Sequence, residues 1–355
     1  MIKRRKTRIV KVGDVNAVNI GYGNDIVIQS MTKCFTTDVS ACCRQIRRLV
    51  KAGCNLIRVA VPTKADSQAF AQIVSKVNIP LIADIHFSSA RAIEAIEAGA
   101  AKIRLNPGNI KDRKDINKII DAAKMHKTAI RIGVNEASIR NLKEKEVPPN
   151  QRTKLMLTEM KKYIRIFEKR GFLDIVLSAK SSDTVRTIEV NRLIAGNFDY
   201  PIHIGLTHAG LPEDAQVPSA VAIGILLSEG IGDTIRVSLA GDPVNEVVTA
   251  KKILSSLGLY QTNKPEIVVC PTCGRSQIDV VKLARKVSKA IRNINKPVRI
   301  AVMGCVVNGP GEAADADIAI CAGKGKAMFY KQGRKIKTIN EEEILPALLK
   351  QVENL

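Results

Sequence analysis

The sequence predicts an α/β protein with an N-terminal (β/α)8 TIM-type barrel followed by a smaller C-terminal α+β domain. At 355 residues, 45% of them hydrophobic, the chain is long enough to bury more than one core. Short apolar runs of strand length recur eight times, and segments with helical periodicity separate them. Strand followed by helix, repeated eight times, is typical of a closed barrel, and an open doubly wound sheet is the alternative.

The eight runs are continuous rather than alternating, as expected for parallel strands that are covered on both faces. Between them, apolar residues such as Cys42, Ile46 and Leu49 recur at helical spacing, and each such segment is long enough for a crossover helix. In chain order the runs lie at residues 26–31, 55–61, 81–85, 101–105, 129–134, 174–177, 202–206 and 234–239.

A polar stretch at residues 258–266 breaks the repeat. We therefore predict a barrel domain at residues 1–262 and a second domain at residues 263–355. Asn340 is positioned to cap a final helix whose first turn is acidic. The second domain is also expected to contain strands at residues 267–269, 298–302 and 318–321, a helix near 278–291 and a hairpin at 328–339.

Composition and charge narrow the possible functions. No apolar run reaches signal-peptide or membrane-spanning length, so we expect a soluble, cytoplasmic protein whose eight cysteines are thiols or metal ligands rather than disulfides. The formal charge of +22 suits nucleic acid, an anionic substrate or an acidic protein partner. An aromatic content of only 3% weakens the case for base stacking.

Polar residues cluster near the carboxyl ends of the predicted strands, often two residues apart, which places each pair on one face of its strand. In a barrel these ends form the active-site face. Several arginines and a lysine that point into one cavity repel one another unless an anion neutralises them, so we expect a phosphorylated or diphosphorylated substrate. The predicted substrate-binding residues are Arg58, Arg104, Asn106, Arg131, Asn135, Ser178, Lys180, Arg236 and Ser238.

Three titratable residues of the same strands are candidates for proton transfer. Asp84 and His86 are two residues apart, and a carboxylate so placed orients or tunes an imidazole. His203 on the seventh strand is expected to join them at the barrel mouth.

A second group of candidate residues lies in the C-terminal domain. Cys270 and Cys273 occupy a tight turn before a helix, and Cys305 follows in a glycine-rich segment. Alone, the first two cysteines fit half of a zinc site as well as a cluster, but the sequence has no second Cys-x-x-Cys pair. Three thiolates with Glu312 as a replaceable fourth ligand suit a four-iron cluster. The remaining cysteines are expected to pack as small hydrophobic side chains: Cys34, Cys42, Cys43, Cys54 and Cys321.

Taken together, these segments resemble one enzyme family, the 4-hydroxy-3-methylbut-2-enyl diphosphate synthases, along nearly the whole chain. The most specific likeness is Asn-Gly-Pro-Gly-Glu at residues 308–312. The other matching segments lie at residues 29–32, 36–38, 57–59, 83–87, 104–109, 131–135 and 228–233.

The resemblance implies the two-electron reduction of 2-C-methyl-D-erythritol 2,4-cyclodiphosphate, with ring opening and loss of water, in the methylerythritol phosphate route to isoprenoids. It implies one 4Fe-4S cluster per chain, with Cys270, Cys273, Cys305 and Glu312 as ligands. It further implies a homodimer in which the cluster domain of one subunit caps the barrel of its partner, and electron delivery by acidic flavodoxin or ferredoxin. Neither a nucleic acid nor a membrane is expected as a partner.

One position departs from the family pattern. The family usually has Thr-Glu-Ala-Gly after the seventh strand, whereas residues 207–210 are Thr-His-Ala-Gly. If the glutamate handles protons or substrate hydroxyls, His208 must replace it, or Glu213 or Asp214 must reach the pocket. We therefore expect a slower enzyme or a shifted pH optimum. The predicted catalytic residues are Asp84, His86, His203, His208 and Glu312.

Two other functions fit parts of the sequence. A redox-neutral iron–sulfur hydratase or dehydratase that acts on a phosphorylated substrate would also use three cysteines and an open iron, and it would need no reductant. A basic, zinc-bearing nucleic-acid binder would account for Cys270, Cys273 and the positive charge, but not for eight barrel strands.

Overall fold

The computed structural model describes residues 2–14, 16–106, 109–110, 112–139, 147–207, 210–307, 309–323 and 325–353. The chain divides into two compact units, Met1–Tyr260 and Gln261–Leu355. The first unit contains an eight-stranded parallel sheet, and the second contains a five-stranded mixed sheet.

The first unit is a (β/α)8 barrel, which confirms the predicted fold class. A short bridge between Leu177 and Ile202 joins the two ends of the sheet and closes it. An antiparallel hairpin of β1 (Val10–Val12) and β2 (Val18–Ile20) precedes the barrel. The barrel strands are β3 (Val27–Met31), β4 (Leu56–Ala60), β5 (Leu81–Ile85), β6 (Lys102–Leu105), β7 (Ala129–Asn135), β8 (Ile175–Lys180), β9 (His203–Ile204) and β10 (Thr234–Ile235).

In the part of the barrel that the structure describes, eight helices alternate with these strands, and side-chain caps define several of their starts. Asp38, for example, accepts a hydrogen bond from the Ala41 amide at 2.9 Å. No helix in the described ranges combines the length and apolar character that a membrane span requires. The helices are α1 (Val39–Ala52), α2 (Lys64–Val74), α3 (Ser89–Glu97), α4 (Arg113–Met125), α5 (Pro149–Lys169), α6 (Thr184–Asn197), α7 (Pro212–Ser228) and α8 (Val244–Ser256), with a 3-10 turn at Glu136–Ser138.

The structure differs from the sequence prediction at the last two barrel strands, which pair regularly over only two residues each. Gly205, at φ +154°, follows β9 and interrupts the regular ladder. The chain nevertheless stays beside its neighbour, because the Arg236 amide donates to the Ile204 carbonyl at 3.1 Å. The predicted strands at residues 202–206 and 234–239 are therefore correctly located but too long.

The β1–β2 hairpin was not predicted, because strands of three residues are too short to show a hydrophobic period. Val10, Val12 and Ile20 of this hairpin pack against apolar residues at the starts of the barrel strands, including Val27 and Leu56. The hairpin thus plugs the amino end of the barrel, which leaves the carboxyl end open for a site.

The second unit has the predicted α+β arrangement. Its first three strands are parallel, and the last two form the predicted hairpin, which turns at Gln332 and Gly333 with positive φ angles of 49° and 73°. Its elements are β11 (Glu266–Val269), α9 (Val280–Ala290), β12 (Arg299–Met303), α10 (Gly309–Glu312), β13 (Ile318–Gly323), β14 (Lys326–Lys331), β15 (Arg334–Asn340), a 3-10 turn at Glu341–Glu343 and α11 (Ile344–Glu353).

Candidate active site

The carboxyl ends of the barrel strands surround a cavity of about 130 Å³, called the barrel-mouth cavity below. Side chains at alternate positions of a parallel strand share one face, so the even spacing in the sequence brings them together here. Most of the predicted substrate-binding residues line it. The lining residues are Arg58, Asp84, His86, Arg104, Arg131, Gly133, Asn135, Ser178, Lys180, Leu206, Thr207, Arg236 and Ser238.

Asp84 is a buried carboxylate at the centre of several cationic contacts. Its Oδ2 lies 3.6 Å from Arg58 Nε and 3.4 Å from His86 Nε2, and its Oδ1 lies 3.5 Å from Arg104 Nη1. Burial alone would raise the pKa of the Asp84 carboxyl, but Arg58, His86 and Arg104 together lower that pKa well below its usual value. Asp84 is therefore ionised at neutral pH and orients the half-exposed His86.

Glu246, which sequence reasoning missed, fixes another lining residue. Arg236 donates to both of its carboxylate oxygens at 3.2 Å, and Ser30 donates to Oε2 at 2.8 Å. Burial would raise the pKa of Glu246, but the charge of Arg236 lowers it. Glu246 lies on α8, ten residues after Arg236, and no motif or strand-end position marks it in the sequence.

Cations outnumber carboxylates at this cavity. Among the lining residues that the structure describes, Asp84 is the one carboxylate, and Glu246 lies beside them. Burial and then the neighbouring Arg131 lower the pKa of Lys180 well below its usual value. Burial also lowers the pKa of Arg58 to about 10, against the opposing effect of Asp84. A bound anion would relieve this repulsion and favour the charged forms. The five cationic lining residues are Arg58, Arg104, Arg131, Lys180 and Arg236.

Two glycines make room for the cationic side chains. A Cβ on Gly133 would lie 3.2 Å from Arg104 Nε. A Cβ on Gly205 would lie 3.0 Å from Lys180 Nζ and 2.3 Å from the Arg236 carbonyl oxygen. Because side chains longer than hydrogen would displace these groups, the two glycines help to set where the charges lie.

Of the predicted barrel site residues, Asn106 and His203 do not line the barrel-mouth cavity, and His208 cannot be placed. Asn106 follows β6 and lines a separate small cavity with Leu105 and Tyr163. The strand alternation ends at Leu105, so the spacing of two no longer keeps Asn106 on the face of Arg104. His208 lies outside the described residues.

His203 lies inside the barrel, fully buried, rather than on the cavity. Its Nδ1 is 2.6 Å from Thr234 Oγ1, and its Nε2 has no hydrogen-bond partner among the described residues. Burial, followed by the charges of Arg131 and Lys180, lowers the pKa of the imidazole well below its usual value. The ring is therefore neutral at neutral pH.

Gln29 and Lys102 also point into the barrel interior and were not predicted. Both are buried, and within the described ranges neither the Lys102 ammonium nor the Gln29 amide has a hydrogen-bond partner. Lys102 precedes Arg104 by two residues on β6, so the spacing rule could have found it. Its position inside an apolar run concealed it.

In the second unit, Cys270, Cys273 and Cys305 line one cavity of about 150 Å³. Cys270 directly follows β11, and Cys305 lies two residues after β12; because these strands are parallel neighbours, their carboxyl ends bring the thiols together. The Cys270 amide donates to the Val302 carbonyl at 3.0 Å, which anchors this junction. All eight cysteines lie in the described ranges, and no disulfide joins any of them.

The cysteine loops depend on small residues at two points. A Cβ on Gly304 would lie 2.6 Å from Ser276 Oγ, and one on Gly309 would lie 3.0 Å from Cys321 Sγ. A larger side chain at either position would push away the loop that carries Cys305.

The donor set of this cavity fits an iron–sulfur cluster. Among the described residues, no group of three or more His, Cys, Asp or Glu side chains is close enough together to hold a metal ion. The three thiols surround a shared cavity instead, and thiolates are the usual ligands of iron–sulfur clusters. Arg275 lines the same cavity and hydrogen-bonds to Cys273, which raises the pKa of the guanidinium. Glu312 ends α10, but its side chain, like the whole of Asn308, lies outside the described residues.

The fold and the two sites define a barrel enzyme with a cationic mouth and a separate domain that carries a cluster of thiols. Two family models match most of the chain. The GcpE TIM-barrel domain matches residues 7–251, and the GcpE protein C-terminal domain matches residues 266–354. The chain therefore belongs to the GcpE family.

Curated relatives of similar length carry one enzyme name, 4-hydroxy-3-methylbut-2-en-1-yl diphosphate synthase (flavodoxin), which confirms the resemblance seen in the sequence. The relative from Caldanaerobacter subterraneus subsp. tengcongensis is 47% identical and is matched over 100% of this chain and 99% of its own length. The relative from Symbiobacterium thermophilum is 48% identical over 99% of this chain and 94% of its own length. The relative from Aquifex aeolicus is 44% identical over 100% of this chain and 98% of its own length.

Solved structures with a similar barrel include dihydropteroate synthases. The Xanthomonas albilineans enzyme with 4-aminobenzoic acid has a TM-score of 0.50 at 15% identity and covers 71% of this chain and 100% of its own. The Vibrio fischeri enzyme has a TM-score of 0.50 at 13% identity and covers 70% of this chain and 98% of its own. At these identities the likeness concerns the fold alone.

Proposed function

We propose that this chain reduces 2-C-methyl-D-erythritol 2,4-cyclodiphosphate to 4-hydroxy-3-methylbut-2-enyl diphosphate and water. The reaction consumes two electrons and two protons, opens the diphosphate ring and releases one hydroxyl group as water. One observation carries the proposal. In a chain whose curated relatives bear the name of this synthase, five cationic side chains and one lining carboxylate surround a single cavity at the barrel mouth.

The barrel-mouth cavity binds the substrate. Its five cations hold the diphosphate, since guanidinium groups match phosphate oxygens in a bidentate manner. Asn135, Ser178 and Ser238 line the same cavity and provide hydrogen bonds to the hydroxyl groups of the carbon skeleton. In this proposal residues 1–262 form the substrate-binding domain.

Asp84 and His86 divide the acid–base work. Asp84 is 3% exposed and ionised, so it acts as a positioning group rather than as a proton donor. His86 Nε2 lies 3.4 Å from this carboxylate, and its half-exposed ring lines the cavity. His86 is therefore placed to deliver a proton as the hydroxyl group leaves. His203 is neutral and fully buried, and its side chain contacts Thr234, so we assign it no contact with the substrate.

Cys270, Cys273 and Cys305, with Glu312 as fourth ligand, hold one 4Fe-4S cluster per chain in the domain at residues 263–355. When bound, the cluster supplies electrons one at a time. Their source is flavodoxin or ferredoxin, and the name of the curated relatives includes flavodoxin. A net charge of +22 on this chain favours encounter with such acidic carriers.

We further propose a homodimer that works in the cytoplasm. The family resemblance supports the dimer. The eight thiols, none joined in a disulfide within the described ranges, support a reducing compartment.

Metal and sulfide analysis of protein purified without oxygen tests the cluster assignment. We expect about four irons and four sulfides per chain, lost in Cys305→Ser. Cys54→Ser is the matched control, because Cys54 is a buried thiol of the barrel that donates to the Leu56 carbonyl at 3.2 Å. Zinc in place of iron would overturn the assignment.

A further inference from the structure

Two cysteines outside the cluster site lie in contact near the barrel mouth. Cys34 is in the loop between β3 and α1, and Cys42 is in the first turns of α1. Their Sγ atoms are 3.2 Å apart, and a disulfide would require an approach of only about 1 Å more. Cys34 is partly exposed, whereas Cys42 is fully buried. The sequence predicted only core packing for both.

The loop and the helix that carry these thiols are tied together. The Lys33 amide donates to Gln45 Oε1 at 2.6 Å, which fixes the residue before Cys34 to the helix one turn beyond Cys42. The Cys42 thiol donates to the Phe35 carbonyl at 3.4 Å. These contacts hold the two sulfurs side by side in the reduced protein, so little chain entropy opposes bond formation.

We infer that Cys34 and Cys42 form a redox-active dithiol that is modified by low-molecular-weight disulfides. The partly exposed Cys34 thiolate attacks one sulfur of the small disulfide, forms a mixed disulfide and releases the first small thiolate. Cys42 then gives up its proton and attacks Cys34 Sγ, which releases the second small thiolate. Two protein thiols are oxidised by two electrons, and one small disulfide is reduced to two thiols.

The order of attack follows from the surroundings of the two thiols. Burial, followed by the neighbouring Cys34, raises the pKa of Cys42 well above its usual value, so Cys42 is not the first nucleophile. Cys42 is also closed to a bulky disulfide because it is 0% exposed. Cys42 Sγ lies 3.2 Å from Cys34 Sγ, so once Cys34 carries the mixed disulfide, Cys42 is placed to attack Cys34 Sγ and acts as the resolving thiol.

The dithiol is linked to the barrel-mouth cavity through Lys33. Lys33 Nζ lies 3.0 Å from Glu246 Oε1, and Glu246 holds the lining residue Arg236. On the other side, the Thr32 amide donates to the Arg58 carbonyl at 3.0 Å. Movement of Cys34 toward α1 therefore shifts Thr32 and Lys33. These two residues connect to Arg58 and, through Glu246, to Arg236. Closure of the disulfide is expected to weaken substrate binding.

The test uses the loaded enzyme, purified without oxygen and incubated with oxidised glutathione. Cleavage on the amino side of Asp38 separates Cys34 from Cys42, and fragmentation of the linked peptide pair distinguishes Cys42 from Cys43 and Cys54. We expect a cross-linked peptide pair, an intact mass lower by two hydrogens, and reversal by dithiothreitol. Cys34→Ser and Cys42→Ser each abolish the cross-link, and Cys54→Ser retains it. A lasting glutathione adduct on Cys34, or a cross-link that persists in Cys42→Ser, would overturn the inference.

The kinetic measurement depends on the proposed function, whereas the mass measurement does not. In the oxidised enzyme we expect the KM for the cyclic diphosphate to rise several-fold and to return on reduction, with the cluster absorbance unchanged. The response is absent in Cys34→Ser. An unchanged KM after complete cross-linking would show that the dithiol does not reach the cavity.

Discussion

Glu246 holds Arg236 by two parallel contacts beside the barrel-mouth cavity, with Arg236 Nε 3.2 Å from Oε2 and Nη2 3.2 Å from Oε1. Lys33 and Ser30 bind the same carboxylate at 3.0 Å and 2.8 Å. Glu246 is 1% exposed, so this is a buried charge cluster rather than a surface ion pair. It joins the loop after β3, the end of β10 and the start of α8.

Glu246→Gln removes the charge but keeps the shape of the side chain. We expect KM for the cyclic diphosphate to rise about tenfold with a smaller change in kcat, because Arg236 loses its anchor. The free energy of unfolding should fall by about 2–4 kcal/mol, since one side of a buried ion pair is removed. Steady-state kinetics and urea denaturation measure these two effects.

Asp242→Asn is the matched control for this variant. Asp242 lies four residues earlier and pairs with Arg48 at the surface. Exposed pairs contribute about 0–1 kcal/mol, so both KM and stability should stay close to wild type. Equal effects of the two substitutions would contradict the anchoring role of Glu246.

Gly133→Ala tests whether glycine sets the position of Arg104. The new Cβ would lie 3.2 Å from Arg104 Nε, so the guanidinium, which pairs with Asp84, must shift by a few tenths of an ångström. We expect weaker substrate binding, with KM several-fold higher. In Gly224→Ala, the control on α7, the Cβ meets no heavy atom of the described residues within 4 Å. That variant should gain up to about 1 kcal/mol of stability and keep its KM. An unchanged KM in both variants would show that Gly133 does not set the position of Arg104.

The buried His203 predicts a pH dependence of stability. Burial lowers the pKa of the folded imidazole well below 6.5, whereas the unfolded chain binds a proton near that pH. The unfolded state therefore holds more protons below about pH 6.5. The stability that the neutral ring contributes is complete above this pH and is lost as the pH falls toward the folded pKa.

His203→Gln should flatten this dependence. In urea denaturation between pH 6.5 and pH 5, the slope of the unfolding free energy should fall by up to about 1.4 kcal/mol per pH unit relative to wild type. The exposed His126 is the matched control, because its ring is solvated in both states, and His126→Gln should keep the wild-type slope. Parallel curves for wild type and His203→Gln would show that the ring is not held neutral by burial.

The basic N-terminal segment is a structural clamp. Arg5 donates to the carbonyls of Phe198 and Tyr200, and Arg4 lies 2.9 Å from Asp233. Arg5→Ala leaves these carbonyls without a donor, so we expect a loss of about 2–3 kcal/mol in urea denaturation. Lys6→Ala, an exposed neighbour, should cost less than about 0.5 kcal/mol. Similar stability of the two variants would argue against a clamp.

The barrel and the residues at its mouth were predictable because the patterns of apolar and polar residues along each strand and helix repeat over short distances in the sequence. Alternation along the strands predicts that Asp84, Arg104 and Arg131 share one cavity, and all three line the barrel-mouth cavity. The same rule predicts that Asn106 shares the cavity with Arg104, but the strand ends at Leu105, and Asn106 lines a separate small cavity.

Other features depend on contacts between different structural elements, which no local pattern reports. Glu246 reaches Arg236 from a helix, and Arg5 reaches carbonyls almost two hundred residues away. The positive charge of the first residues could be seen in the sequence, but the groups that these residues contact could not. The contact between Cys34 and Cys42 was also not predicted, because a spacing of eight residues across a loop and a helix is not a recognised sequence pattern.

Turnover of the cyclic diphosphate by the anaerobically purified protein, with and without a strong one-electron reductant, tests the central claim most directly. We expect product only when the reductant is present, and none from Cys305→Ser under the same conditions, while Cys54→Ser keeps wild-type turnover. Consumption of the cyclic diphosphate without the reductant, to a product of the same oxidation level, would contradict the account and would point to a redox-neutral hydratase or dehydratase instead.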